Sequence, residues 1–170
     1  CTAANAGQWQ THTVEQVTDG EAGRYAKLLY VDGKPVIAYM VVRPGADGFA
    51  ESAVRIAAGN TASPASESDW TFADAVVDAQ TPCHGFTCGA LECRSDTLKC
   101  QAIATGCDPK CASGEKCFDD AGTLSCVAIV NDSSLVSYPD AIGPYISLAQ
   151  TASGLGIAYY DRNHGNLIAV

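Results

Sequence analysis

The chain has 170 residues, of which 47% are hydrophobic and 17% are charged, and its net charge is −9. This length supports one or two domains with a substantial buried core. The ten basic residues form no cluster, which argues against nucleic acid as a partner because phosphate contacts need grouped Lys and Arg. No run approaches the roughly 18 consecutive apolar residues of a membrane-spanning helix.

The first residue, Cys1, stands apart from the other eight cysteines, which lie between Cys83 and Cys126. Eight cysteines can pair among themselves, which leaves Cys1 alone ahead of a small, polar stretch at residues 2–7. This arrangement resembles a mature bacterial lipoprotein, whose acylated N-terminal cysteine anchors a soluble domain to a membrane. The resemblance predicts lipidation of Cys1, an N-terminal tether at residues 1–7 and an exported protein, either an outer-membrane or cell-surface lipoprotein or extracellular. The alternative is that Cys1 only marks where the sequence begins.

Four strands are predicted in the first part of the chain. Residues 8–17, with Trp9 near their start, alternate partly and form the first. Residues 25–31 and 36–42 form the next two, joined by a tight turn at Asp32-Gly33, because Asp-Gly accepts positive φ values. Residues 50–57 complete an antiparallel meander.

A second unit is predicted to begin at Trp70, because residues 70–79 resemble the segment around Trp9. Its later strands are predicted at residues 145–151, 156–160 and 166–170. Tyr25 lies 16 residues after Trp9, whereas Tyr145 lies 75 residues after Trp70. The cysteine-rich residues 81–140 are therefore predicted to interrupt the second unit between its first and second strands.

An internal repeat relates the two units. Six residues near the N-terminus recur 120 positions later without a gap: Gly23, Tyr25, Leu28, Ile37, Ala38 and Tyr39 match Gly143, Tyr145, Leu148, Ile157, Ala158 and Tyr159. Such self-similarity indicates two copies of one supersecondary unit that stack to bury their apolar faces. We therefore expect Tyr39, Tyr145 and Tyr159 to pack in the core, and Asp161 to lie at a strand end.

Repeated four-stranded antiparallel units are typical of β-propeller blades. The Trp-led, Tyr-x-x-Leu, Ile-Ala-Tyr-Tyr-Asp and Gly-Asn-Leu strands resemble exported repeat proteins of the sialidase-like propeller group, over residues 8–80 and 141–170. The Asp-box of that group is missing from the sequence. The predicted fold class is all-β, with two recognisable four-stranded propeller-like blades in an incomplete array and a disulfide-rich insertion at residues 81–140. A sandwich of two small sheets is the alternative.

Two blades do not close a propeller, which typically needs about four to eight. An open array exposes an apolar face and unpaired backbone groups. We therefore expect further blades from elsewhere, or a partner that covers this face.

The cysteine block consists of two similar halves with spacings C-x4-C-x4-C-x6-C and C-x3-C-x5-C-x8-C. Each half has few large apolar side chains, so cross-links must replace a core. Zinc sites favour C-x2-C and haem attachment needs C-x-x-C-H, and neither motif occurs here. Disulfides and an oxidising compartment are therefore predicted. The cysteines are Cys83, Cys88, Cys93 and Cys100 in the first half and Cys107, Cys111, Cys117 and Cys126 in the second.

Spacing alone leaves three pairings open within each four-cysteine half and 105 pairings for all eight cysteines. The block resembles small epidermal-growth-factor-like knots. That resemblance implies that the first cysteine of each half bonds the third and that the second bonds the fourth.

The sequence contains no recognisable catalytic constellation. His12, His84 and His164 are predicted on a strand, in the cysteine block and in a turn, and nothing pairs them with a nucleophile. Sialidase-type catalysis would need an arginine cluster, a tyrosine nucleophile and acids, but the five arginines occupy unmatched repeat positions. We expect no catalytic residue, no cofactor and no metal site. Calcium binding by Asp119, Asp120 and Asp132 is the less favoured alternative.

The predicted function is a non-catalytic, surface-exposed interaction or structural module of a bacterial envelope or extracellular assembly. Its propeller scaffold would present the disulfide-stapled loop. The expected partners are other protein subunits that supply further blades, and a membrane through a lipid anchor on Cys1. The alternative is a glycan-binding or glycan-hydrolysing sialidase-like propeller protein, whose partner is a glycan.

Overall fold

The chain forms two main antiparallel sheets, with the cysteine block between them in sequence. The computed structural model describes residues 10–45, 49–83, 88, 90–130 and 141–170. The strands in these residues are β1 (Glu21–Val31), β2 (Lys34–Pro44), β3 (Ala50–Gly59), β4 (Trp70–Thr81), β5 (Glu92–Cys93), β6 (Cys100–Gln101), β7 (Glu115–Asp120), β8 (Thr123–Ala128), β9 (Ser147–Thr151), β10 (Gly154–Asp161) and β11 (Asn166–Ala169).

The first sheet is a meander with strand order β1-β2-β3-β4. Its first hairpin turns at Asp32 and Gly33, whose φ angles are 49° and 76°. Two successive positive φ values match the right-handed twist of paired strands, which is why Asp-Gly is favoured at this turn. The strands predicted at residues 25–31, 36–42 and 50–57 are confirmed.

The segment that begins at Trp70 is the fourth strand of the first sheet, and the prediction that it opens a second unit is wrong. Gly59 pairs with Trp70, and β4 then runs antiparallel along β3. The connection is closed by a hydrogen bond from the Asn60 N–H to the Asp69 carbonyl (2.8 Å). This short return makes β3 the nearest pairing partner. The similarity of the segments around Trp9 and Trp70 gave no information about which strand β4 would pair with.

The strand predicted at residues 8–17 is also wrong where the structure describes it, because residues 10–17 form no strand. They lie against the first sheet through side chains. Val14 packs beside the buried Tyr39 and Val41, and Glu15 accepts a hydrogen bond from Tyr39. Contacts from side chains therefore replace backbone pairing in this segment. Trp9 lies outside the described residues.

The second sheet has strand order β11-β10-β9, and the strands predicted at residues 145–151, 156–160 and 166–170 are confirmed with small shifts at their ends. Residues 82–146 connect β4 of the first sheet to β9 of the second. The cysteine block therefore joins two sheets and does not interrupt one, which corrects the predicted insertion point. The all-β antiparallel class is confirmed.

The core lies between the two sheets. Met40, Val42 and Val54 of the first sheet meet side chains that precede and form the second sheet, including Ile146 and Ile157. Burial of each such side chain contributes about 1.5–3 kcal/mol. The equivalent tyrosines Tyr39 and Tyr159 are each 3% exposed, as predicted.

Tyr145 departs from the prediction that it faces the core, because it is 57% exposed. Its ring lies on the ring of Tyr25, its equivalent in the first sheet. The residue also has a φ of 58°, which is uncommon for a residue with a side chain. The buried position was predicted from the repeat, which does not show that the backbone at Tyr145 leaves the extended conformation.

Candidate functional site

The cysteine block is cross-linked within each of its halves. The pairing is first-to-third and second-to-fourth in both, as the resemblance to epidermal-growth-factor-like knots implied. The bonds are Cys83–Cys93, Cys88–Cys100, Cys107–Cys117 and Cys111–Cys126.

Each half also contains a small hairpin that places two of its cysteines opposite each other. In the first, Cys93 on β5 lies opposite Cys100 on β6. In the second, Cys117 on β7 lies opposite Cys126 on β8. Each pair of opposite cysteines bonds back to the two cysteines that precede its hairpin, so two disulfides fix each hairpin to the loop before it.

Sulfur atoms also cluster at distances that suit a metal ion. Three sulfur atoms in each half lie within 4.8 Å of one another, those of Cys83, Cys88 and Cys93 and those of Cys107, Cys111 and Cys126. Metals bind thiolates, however, and these sulfurs are oxidised. The closeness of the sulfurs follows from the disulfides.

Arg94 joins the two halves of the block and is only 4% exposed. Its guanidinium donates to Gln101 (2.8 Å) and Asp96 (2.7 and 3.0 Å) in the first half, and to Asp120 (2.6 Å) in the second. It also stacks on the fully buried ring of Phe118, 5.0 Å from the centroid. The hydrogen bonds from Arg94 lower the pKa of both aspartates. Sequence reasoning missed this residue, because only the fold shows that it reaches the second half.

Both ends of the segment that carries the block meet at β3. Ser52 on β3 shares a 2.6 Å hydrogen bond with Thr81, the last residue of β4, and both are fully buried. The N–H of Ile142, where the chain returns, donates to the Ser52 hydroxyl (3.1 Å). The Lys99 ammonium of the block lies 4.1 Å from the centroid of the Phe49 ring. The block is thus fixed to the first sheet at its base.

An open groove of about 930 Å³ runs along the second half of the block. One wall is the loop at residues 106–112, and the other is the β7–β8 hairpin with Glu115 and Leu124. Leu124 is 42% exposed in this groove. The groove therefore offers an apolar side chain between charged edges, a surface suited to an extended segment of another protein.

A second cluster surrounds Tyr39 and contains the side-chain types that sialidase-type catalysis needs. The Tyr39 hydroxyl donates to Glu15 (2.5 Å). Arg55 also contacts Glu15, and it donates twice to Asp74 (2.6 and 3.0 Å). Arg43 donates to Asp74 as well (3.0 Å). Sequence reasoning missed this convergence, since the repeat gave no reason to pair Arg55 with Glu15.

The electrostatics of the Tyr39 cluster favour the protonated form of the tyrosine. Burial, and then the hydrogen bond to Glu15, raise the pKa of Tyr39 far above its usual value, so the phenol keeps its proton. An activated nucleophile needs a lowered pKa or an adjacent free base. Glu15 is already engaged by Arg55, and the hydrogen bonds from Arg55 lower the pKa of Asp74. The cluster therefore acts as a clamp that holds residues 10–17 on the sheet.

A polar cleft of about 930 Å³ lies between the end of β4 and the β10–β11 turn. His164 in the turn places Nδ1 2.8 Å from Asp161, a partner that the sequence analysis did not assign. Asn163 donates to Asp78 across the cleft. Such paired amide, carboxylate and imidazole groups suit a hydroxyl-rich ligand. The lining residues are Asp78, Gln80, Pro82, Arg162, Asn163 and His164.

The remaining sequence candidates do not converge with these sites. Cys1, His84 and Asp132 lie outside the described residues, and His12 is exposed. Of the acids considered for calcium, Asp119 accepts the Gly122 N–H (2.6 Å) and Asp120 pairs with Arg94.

Comparison of the chain with protein families, curated proteins and solved structures finds no match. Among the residues that the structure describes, no helix has the length and apolar character to cross a membrane. The four disulfides indicate an oxidising environment, extracellular or exported.

Proposed function

We propose that the protein is a non-catalytic interaction module of a bacterial envelope or extracellular assembly, in which propeller-like sheets present the cysteine block to a partner protein. The observation that carries the proposal is the anchoring of the block. Thr81 and Ile142, one at each end of the connecting segment, are bound to Ser52 in the core of the fold. These two hydrogen bonds hold both ends of the connecting segment at the same residue of β3.

Rigidity favours binding because less conformational entropy is lost when a partner docks. Disulfides and the Arg94 network restrict both halves, and the groove beside Leu124 stays open. The partner that fits this groove is an extended protein segment with one apolar anchor. Charged groups of both signs on the groove walls, Lys110 and Glu115, would fix its direction.

The propeller assignment rests on the repeat and on the stacking of the two sheets. Equivalent residues start β1 and lead into β9, and these strands lie next to each other. A lipid on Cys1 would tether the chain to the membrane.

A photo-cross-linking amino acid at position 124 tests the proposal in the full chain, expressed where disulfides form. We expect a discrete cross-linked partner in cell-envelope extracts, and at least about tenfold weaker binding of that partner by Leu124→Arg. Leu91→Arg, at an exposed leucine of the first half, is the matched control. Equal loss of binding in both variants, or no specific cross-link, would contradict the proposal.

Glycan binding is a second candidate function, which the polar cleft favours. Its lining is dominated by hydrogen-bonding groups, including Gln80 and the largely exposed His164. A glycan array with the intact chain tests it, together with a hydrolysis assay on any glycan that binds. If this function is correct, His164→Ala weakens glycan binding and Leu124→Arg does not. No binding to any glycan on the array would remove the candidate.

A further inference from the structure

The internal repeat predicts which face of each sheet should be covered. Ile142, Ile146 and Ile157 pack onto the first sheet and are 4%, 1% and 4% exposed. Their equivalents 120 positions earlier are Ala22, Ala26 and Ile37. These three are only half-buried or are exposed. They line an open apolar cavity of about 450 Å³, and no sheet formed by the described residues lies against this docking face of the first sheet.

The face of a sheet on which the next sheet stacks is called its receiving face. This face is covered in the first sheet and open in the second. Ala38 and Met40 on the first sheet receive the second sheet and are 0% and 1% exposed. Their equivalents are Ala158 and Tyr160, which are only half-buried. Ala158 and Gly156 line a shallow apolar hollow of about 380 Å³ on the outer face of the second sheet. The second sheet therefore has a receiving face on which no described residue is stacked.

Side-chain sizes on these two open faces are complementary around Tyr160. The docking face of the first sheet has Ala22 and Ala26 where the second sheet has two isoleucines. The receiving face of the second sheet has Tyr160 where the first sheet has Met40. A larger projection on one open face therefore matches smaller residues on the other, as dense packing requires.

The existing contact shows where Tyr160 would fit. A Cβ placed on Gly143 would lie 3.2 Å from Met40, so Met40 packs directly against that glycine. In the open interface the equivalent pair is Tyr160 and Gly23. A Cβ placed on Gly23 meets no atom within 4 Å in the described structure, which leaves space for the ring.

We propose that a second copy of this chain docks head-to-tail, with the β1–β2 face of one copy on the outer β9–β10 face of the other. The contact continues the stacking that already joins the two sheets within one chain. Val14 and Glu15 line the same cavity as Gly23 and form part of the docking face. Because the two faces differ, the interface is heterologous, and further copies add in the same direction. The proposal does not depend on a partner for the cysteine block.

The intact chain tests this by sedimentation velocity from roughly 1 to 100 µM, the range in which weak dimers dissociate. We expect self-association of the wild type that increases with concentration. Ala26→Arg blocks the docking face and Ala158→Arg blocks the receiving face, because each would bury an unpaired charge. Each variant alone should associate at least about tenfold more weakly than the wild type.

Mixing the two variants gives the decisive result. Ala26→Arg keeps an intact receiving face and Ala158→Arg keeps an intact docking face, so an equimolar mixture should form a one-to-one dimer that neither forms alone. Circular dichroism checks that both variants are folded, and Leu124→Arg should associate like the wild type. A wild type that stays monomeric overturns the proposal. Folded variants that do not complement each other also overturn it.

Discussion

Tyr25 and Tyr145 are 120 positions apart in the sequence and lie side by side in the structure. Their ring centroids are 5.7 Å apart and the ring planes are inclined by 47°, a favourable aromatic pair. Both residues have positive φ values, 57° and 58°. Each follows, two residues later, a glycine of positive φ, Gly23 at 97° or Gly143 at 103°. The repeat is therefore present in backbone conformation as well as in sequence.

The paired glycines give the first prediction, because their backbones match and their surroundings differ. Gly23→Ala should cost roughly 1–2 kcal/mol through the positive φ alone. Gly143→Ala should cost about 1–3 kcal/mol more, because its Cβ would press on Met40 at 3.2 Å. Urea unfolding of both variants measures the difference. Equal losses would show that the sheets do not pack at Gly143.

Arg94 gives the second prediction. Arg94→Met should lower the free energy of unfolding of the block by about 2 kcal/mol, because hydrogen bonds to charged groups are lost. Arg94→Lys should restore only a small part of this free energy of unfolding, since an ammonium cannot reproduce the forked contacts with Asp96. Hydrogen exchange should show faster opening at β7 and β8 and unchanged protection in β2 and β3. Uniform loosening of the whole chain would contradict a role confined to the block.

Asp74 gives the third prediction, which concerns pH. Hydrogen bonds from Arg55 and Arg43 hold the folded pKa of this carboxyl below its ordinary value of 3.8. A lowered folded pKa stabilises the fold above the unfolded pKa, and this contribution is lost as pH falls through the folded pKa. Asp74→Asn should therefore reduce the fall in melting temperature between about pH 5 and pH 2. Asp19→Asn, outside the network, is the control, and an identical pH profile for Asp74→Asn and the wild type would count against the clamp.

The disulfides give the fourth prediction. Digestion without reduction, followed by mass spectrometry, should recover four bridges, two within each half of the block and none between the halves. Replacing Cys111 and Cys126 together by serine should destabilise the second half by about 2–4 kcal/mol, because its loop is freed in the unfolded chain. Replacing Cys88 and Cys100 is the matched change in the first half, and partner binding at Leu124 should survive it. Bridges between halves would contradict the assigned pairing.

Much of the fold could be predicted because its signals are local. Asp32-Gly33 specifies a turn through its own φ preferences, and the strands on either side follow from β-branched and aromatic residues. The partner of β4 could not be predicted in this way. A strand's sequence indicates that it will pair and which face is apolar, but the connection from Asn60 to Asp69 decides which neighbour it reaches.

The candidate sites show the same difference between local and long-range features. Cysteine count and spacing, with few apolar side chains, indicated a cross-linked block. The contacts that make it rigid come from Arg94 and Ser52, and their partners Asp120 and Ile142 lie 26 and 90 positions away. The sequence around Arg94 or Ser52 contains no local pattern that indicates such distant partners.

The sequence by itself determined the repeat, the antiparallel strands around Asp32-Gly33 and the disulfide-rich character of residues 83–126, because composition and nearest-neighbour conformation set these features. Only the tertiary structure decided where the block is inserted, that Tyr145 lies against Tyr25 at the surface, and that Tyr39 is locked between Glu15 and Arg55. Those features depend on which faces meet. That choice is made by packing and by hydrogen bonds between residues far apart in the chain.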